Sequence, residues 1–365
     1  MNISSVFTLD KLKEGEKDGG ASRRLLRMDK RLYLQNGYLN IDFVLHLPVP
    51  FIFVVGGRGT GKTYGALKYV LDNDVRFGYM RRTQAQADVI SKPEFSPFKA
   101  LMRDYKFDIV TMPVTKYNAA YYHAEMVDDK LIAQGMPIGY TLALSTISNL
   151  RSFDMSDIEL LIYDEFIPEK HERPLKHEAD ALWNAYETIN RNRELSNSAP
   201  LKMLCLANAN DLTNPIFVAM NIVDKVYNMA VKGQAITVNE KRGYAVVLLA
   251  DSPISNRKRD TALYKLTSGS EYASMAVDND YNIAAMEKAN VNLTEYAPLF
   301  CVNGICLYKH KSNSYWYATT HKSGGIITID YSLYKQRYRR AVQATAARGL
   351  IQYESIAVRE SLLEL

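Results

Sequence analysis

From Phe51 onward the chain alternates short apolar runs with stretches of helical spacing. Phe51-Ile52-Phe53-Val54-Val55 is a β-branched and aromatic run closed by glycine, and helix-forming residues follow from Thr63 to Leu71, which predicts strand, glycine loop, helix. Further short runs at Phe77 to Met80, Leu142 to Leu144, Leu160 to Tyr163 and Lys202 to Ala207 predict buried strands of a mostly parallel sheet. Tyr121 to Val127 and Leu131 to Gly135 flank Asp128-Asp129-Lys130, a turn triplet that predicts a β-hairpin. Leu175, Ala179, Leu182, Tyr186 and Ile189 recur at helical spacing, so an amphipathic helix is expected from about Lys176 to Arg193.

The pattern sets provisional borders. The first fifty residues are polar and basic and turn apolar toward Phe43 to Leu47, as an arm docking on a core would. Asn208-Ala209-Asn210 and Asn214-Pro215 break the periodicity after Ala207, and the sheet domain is expected to close near Asp224. A basic, polar stretch with Arg257-Lys258-Arg259 follows. Beyond it, runs at Leu299 to Val302, Ile305 to Tyr308, Tyr315 to Ala318 and Ile326 to Ile329 predict strands of a small mixed domain, ending in a helix from Tyr334 to Ala347. The expected division is residues 1–224, 225–288 and 289–365.

Composition changes this picture little. A chain of 365 residues is long enough for two or three cores, and no apolar run approaches the ~20 residues of a membrane span. Met1 to Lys17 shows no basic-then-apolar leader, so no export signal is expected. The formal charge of +5 is compatible with a polyanionic partner without requiring one. Cys205, Cys301 and Cys306 form an odd set without zinc-type spacing and are read as reduced thiols, and the six histidines form no ligand pair, so no structural metal is expected.

Chemistry concentrates at two strand ends. Gly56-Gly57-Arg58-Gly59-Thr60-Gly61-Lys62-Thr63 fits G-x-x-x-x-G-K-[ST] between a predicted strand and helix. Glycines there let backbone N–H groups close round phosphates; Lys62 is expected to reach the β and γ phosphates and Thr63 to ligate Mg²⁺. Leu160 to Tyr163 delivers Asp164 and Glu165 to the edge where open α/β sheets bind ligands. Asp164 is expected to hold Mg²⁺ and Glu165 to polarise an attacking water. A kinase must exclude water, so the second acid favours hydrolysis, and the absence of an Asn-Lys-x-Asp string favours ATP over GTP. Asn208 stands where a γ-phosphate sensor would, or is a turn asparagine; Arg191 and Arg193 end their helix either as transition-state cations or as dipole compensation.

These residues carry a resemblance. Gly56 to Thr63, Tyr79-Met80-Arg81-Arg82, Tyr163-Asp164-Glu165-Phe166-Ile167, Asn190-Arg191-Asn192-Arg193-Glu194 and Cys205-Leu206-Ala207-Asn208-Ala209 resemble, in order and spacing, the DNA encapsidation ATPases of φ29-like phages. The likeness is clear from Phe51 to Asn214, fainter through Gly269 to Tyr272 and Asp278-Asn279, and thin in the last seventy or so residues. It implies a RecA-like P-loop ATPase domain of the ASCE class with a basic N-terminal arm, a small linker domain and a C-terminal RNase H-like α+β domain. Such proteins form a ring, typically a pentamer, on the portal of a procapsid. They drive double-stranded DNA inward, which implies a site in the host cytoplasm with transient attachment to the portal; a packaging RNA is a further candidate partner. The resemblance aligns Arg191 with a trans-acting arginine finger, with Arg193 the weaker choice, and sets Arg151 where the family carries a lysine linked to the neighbouring nucleotide site. Arginine keeps that charge but changes its geometry.

Leu299 to Ala318 contains no Asp or Glu, so the clustered carboxylates of a two-metal nuclease are missing and docking or DNA contact is expected of the C-terminal domain. DNA grip should fall on backbone phosphates, with Lys130, Arg257, Lys258 and Arg259 as candidates. Two other readings stay open: a DNA translocase or helicase of the same superfamily, separable by dependence on empty capsids, and a nucleotide-gated scaffold without turnover.

Overall fold

The structure is a computed structural model that describes residues 29–128, 130–150, 153–169, 172, 175–208, 212–249, 252–270 and 291–365. Arg151 and the Glu271 to Tyr272 and Asp278-Asn279 strings lie outside them. Nine strands form one sheet: β1 (Phe51–Gly56), β2 (Phe77–Arg81), β3 (Asp108–Pro113), β4 (Ala119–Val127), β5 (Lys130–Ala143), β6 (Leu160–Asp164), β7 (Lys202–Ala207), β8 (Ile236–Asn239) and β9 (Tyr244–Leu249). Their order is β3-β4-β5-β2-β6-β7-β1-β9-β8. Every pairing from β5 to β9 is parallel, while β3, β4 and β8 run antiparallel at the two margins.

Alternating residues of β1 explain why it reads as a continuous apolar run. Ile52 and Val54 point into one buried layer, with the helices α1 (Ile41–Leu45) and α2 (Lys62–Asp72). Phe53 and Val55 point into the other, beneath the later helices. A strand covered on both faces has no polar side to show. Short helices α3 (Gln84–Ile90) and α4 (Lys99–Tyr105) follow β2. Thr83 and Gln86 close a capping box at the start of α3, worth about 1 kcal/mol, which fixes the turn after Arg81 and Arg82. On the opposite face lie α5 (Glu178–Asn190), α6 (Pro215–Ala219) and α7 (Val223–Lys232).

The border expected at Asp224 is corrected. β9 pairs with β1 in register from Phe51↔Tyr244 to Gly56↔Leu249, and β8 pairs with β9, so the sheet domain extends to Leu249. Residues 225–249 of the segment assigned to a linker therefore belong to the sheet domain. Of the remainder, the described part holds two short helices, α8 (Pro253–Lys258) and α9 (Ala262–Leu266).

The small domain has four strands, β10 (Tyr296–Val302), β11 (Ile305–His310), β12 (Trp316–Thr319) and β13 (Ile351–Tyr353), in that order, with the last parallel to β12 and the others antiparallel. A π-helical turn over Tyr334–Tyr338 leads into α10 (Arg339–Ala347), and α11 (Ile356–Glu364) closes the chain. The strand expected at Ile326 to Ile329 is reduced to one bridge, Cys301↔Thr328. Val358 and Leu362 of α11 belong to the small domain's core, while Ile356 is buried among residues of the sheet domain. One further reading is corrected: Cys301 and Cys306 face each other across the β10–β11 hairpin and are disulfide-bonded, leaving Cys205 as the free, buried thiol. Among the described residues, no helix is long and apolar enough to cross a membrane.

Candidate nucleotide site

β1 ends centrally in the sheet, between β7 and β9, and the chain turns through Gly57 to Gly61 into α2. Gly61 occupies the left-handed region (φ +86°), and a Cβ there would press on the ring of Tyr38 at 3.0 Å, so both conformation and space require glycine. Outside the loop, Leu39 N–H donates to the Thr60 carbonyl at 2.9 Å, which pins the turn to the N-terminal segment.

Lys62 is buried. Its ammonium donates to the carbonyls of Gly56 (2.9 Å) and Gly57 (2.8 Å), and approaches Asn208 Oδ1 at 3.5 Å. Burial lowers its pKa to about 8, against the opposing pull of Asp164, with Lys258 and Arg58 adding like charge. The ammonium thus rests on loop carbonyls, in a position to exchange them for phosphate oxygens.

Asp164 ends β6 and accepts from four groups: Thr63 Oγ1 at 3.1 Å, Tyr79 OH at 2.6 Å, Arg81 Nη1 at 3.3 Å and the Glu165 N–H at 3.1 Å. Glu165 follows in the left-handed region (φ 59°), which turns its side chain out of the strand direction, and it pairs with Arg81. Burial raises the Glu165 pKa, partly countered by Arg81. Thr63 Oγ1 and Asp164 Oδ2 stand 3.1 Å apart, close to the ~2.9 Å edge of an octahedron with Mg²⁺-length bonds. Hard oxygens at that spacing suit a divalent cation held mainly by water and phosphate.

The other expected residues distribute as follows. Arg58 pairs with Glu169. Arg191 caps α5, where its guanidinium holds Asp154 at 3.1 Å and the Phe153 carbonyl at 3.0 Å, while Arg193 donates to the carbonyls of Ser156 and Ile158 at 2.8 and 2.6 Å. Both arginines lie at the far end of α5, about 18 Å of helix from Glu178, so neither joins this chain's own phosphate site. Lys130 is exposed at the hairpin end, beside Asp128. Arg257 and Arg259 are exposed, and Lys258 between them is half-buried, its ammonium donating to the Arg58 carbonyl.

Sequence reasoning gave no role to Tyr79, Arg81 or Glu169, which hold the site's charged groups. Nor did it find the pair of Arg82 with Glu178, which ties β2 to α5 one residue after Arg81. The Tyr79-Met80-Arg81-Arg82 string was a usable signal, because a polar pair at the end of an apolar strand beside β6 must face the same edge as Asp164.

Comparison with known proteins agrees with this geometry. A family model described as podovirus DNA encapsidation protein (Gp16) matches residues 28–292. The DNA packaging protein of Bacillus phage phi29 is 28% identical over 261 residues, 70% of this chain and 67% of the relative. That of Bacillus phage B103 is 26% identical over 234 residues, covering 63% of each. Among solved structures, the Phi-28 gp11 DNA packaging motor superposes with TM-score 0.63 at 20% identity, covering 90% of this chain and 96% of that one. The phi29 genome packaging motor assembly gives 0.61 at 20% identity, with 90% and 98% covered. The match spans most of the sheet domain, including both strand ends that build the site, and the chain belongs to the podovirus DNA encapsidation protein (Gp16) family.

Proposed function

We propose that this protein is an ATP-driven motor that moves double-stranded viral DNA into a preformed procapsid through its portal. The observation that carries the reading is the convergence of Lys62, Thr63, Asp164, Glu165 and Asn208 at adjacent strand ends in a chain of this family.

ATP phosphates enter the turn at Gly57 to Gly61, where backbone N–H groups and the start of α2 receive them. Lys62 then trades the Gly56 and Gly57 carbonyls for phosphate oxygens. Thr63 and Asp164 are the residues that would hold Mg²⁺, which when bound supplies charge neutralisation at the β and γ phosphates. Glu165 accepts a proton from the attacking water once its pairing with Arg81 is released, and Asn208 faces the γ-phosphate beside Lys62. Arg191 serves the site of the neighbouring subunit in a ring, with Arg193 the weaker candidate, and Arg151 is a further neighbour-site cation. The ring, a pentamer on the portal with or without a packaging RNA, works in the host cytoplasm while attached to the procapsid. Grip falls on DNA phosphates through exposed cations such as Lys130, Arg257 and Arg259, because any sequence must pass.

The test is steady-state ATP turnover with and without double-stranded DNA, with Glu165→Gln as the blank. Turnover that DNA raises and the substitution lowers by about 10²–10⁴ while nucleotide still binds supports the motor. Uptake of DNA by empty procapsids then separates it from a free translocase or helicase. Turnover indifferent to both DNA and the substitution would overturn the reading, and binding without turnover would leave a scaffold.

A further inference from the structure

We propose that Lys258, delivered by the segment that follows the sheet, is an additional phosphate-binding residue of the nucleotide site, and that ATP held there anchors α8 against the P-loop. This rests on the nucleotide-site reading above.

The first support is position. Two hundred residues along the chain from Arg58, the Lys258 ammonium donates to the Arg58 carbonyl. A Cβ built on Gly59 would stand 2.5 Å from its Nζ and 2.8 Å from its Cε, so the side chain lies directly over the turn that faces the phosphates. Gly59 itself is in the left-handed region (φ +67°), a backbone conformation that favours glycine.

The second support is charge. Arg58 is already matched by Glu169, whereas no carboxylate among the described residues lies within ion-pair distance of Lys258. Its charged neighbours are cations. Burial and then Arg58 push its pKa down. The Lys62 and Lys258 ammonium groups both rest on carbonyls of one glycine turn, a pair of cations that an entering polyanion relieves.

The third support is attachment. Ser252, just before α8, donates its hydroxyl to the Gly37 carbonyl at 3.1 Å, and Gly37 packs on Pro253. Two residues on, Leu39 bonds to Thr60 of the loop. The helix is therefore tied to the P-loop at its start through the N-terminal segment and at its end through Lys258, while the adjacent Arg257 and Arg259 are exposed.

The test uses the full chain and a fluorescent ATP analogue, titrated against wild type and the Lys258→Ala, Lys258→Arg, Lys265→Ala and Lys62→Ala variants, Lys265 being an exposed lysine of α9. Lys258→Ala is expected to weaken binding by about tenfold, as for a lost hydrogen bond to a charged group, with Lys258→Arg recovering most of it and Lys265→Ala unchanged. In parallel, ATP should slow tryptic cleavage after Arg257 and Arg259 in wild type and lose that effect in Lys258→Ala. If wild type binds the analogue, Lys62→Ala abolishes binding and Lys258→Ala matches wild type, this inference is overturned and the nucleotide site stands. Equal losses in Lys265→Ala and Lys258→Ala would also overturn it, because bulk charge would then suffice. Failure of wild type to bind would instead remove the nucleotide-site reading itself.

Discussion

Arg82 and Glu178 meet in a two-point ion pair, Nε to Oε1 at 2.8 Å and Nη2 to Oε2 at 3.0 Å, with side chains only 2% and 0% exposed. Tyr163 OH and the Leu175 N–H also donate to the same carboxylate, at 3.1 Å each. The strand that carries Arg81 and the helix that ends in Arg191 are therefore joined by one buried carboxylate. Removing Arg82 leaves the Glu178 carboxylate buried without its cation, at a cost of about 3–5 kcal/mol, whereas removing Glu178 leaves Arg82 with Glu172 at 3.2 Å. Arg82→Met should lower the thermal midpoint by about 6–15 °C and Glu178→Gln by less, and the double change Arg82→Met with Glu178→Met should recover much of it. Midpoints within 2 °C or so of wild type for both single variants would show that the pair contributes little.

Arg81 is expected to set the pH range of turnover. Its guanidinium counters the burial that raises the Glu165 pKa. Without it, Glu165 stays protonated to higher pH and is lost as a base there. The acidic limb of the kcat/KM–pH profile, which reports the free enzyme with the Arg81–Glu165 pair in place, should move upward in Arg81→Gln, and an unmoved limb would mean that Glu165 does not control it.

Lys62 makes the nucleotide-free protein sensitive to alkaline pH. Its folded pKa, about 8, lies below the ordinary 10.5. Between those values the unfolded chain binds more protons, so stability rises with pH across that window and is flat in this respect below it. Phosphate beside Lys62 restores the proton, so ATP binding at pH 8.5–9 should take up a proton, read as a dependence of binding heat on the buffer's ionisation enthalpy. Lys62→Met should abolish the stability slope, and a slope that persists would assign it elsewhere.

Arg191 sits in an exposed ion pair with Asp154, with side chains 40% and 71% exposed, which stabilises by no more than about 1 kcal/mol and is readily given up. Arg191→Ala should reduce turnover by about 10³-fold in a ring. Mixing it with Glu165→Gln should recover activity, because the second variant still offers an arginine to the first variant's intact site. No recovery at any ratio would remove the trans role.

What the sequence discloses here follows the range of each interaction. The phosphate turn and the acidic strand end are local strings, legible because strand, loop and helix lie within about twenty residues of one another. β8 and β9 were hidden because the breaks after Ala207 look like the end of a domain, whereas α6 and α7 only cross the sheet to return on the far side of β1. The Cys301 pairing was within reach: Asn303-Gly304 is a strong two-residue hairpin signal, and Val302↔Ile305 register then sets Cys301 opposite Cys306. Lys258 at the P-loop and Arg82 with Glu178 join residues 200 and 96 positions apart, and nothing local announces either.

The final helix has a mechanical consequence. Ile356 is embedded in the large domain while Val358 and Leu362, less than two turns away, are embedded in the small one. A shift of one domain against the other must either carry this helix along or withdraw Ile356, at about 1.5–3 kcal/mol for a buried side chain of that size. The helix therefore works as a pin between the two domains, and Ile356 sets part of the resistance to their relative displacement.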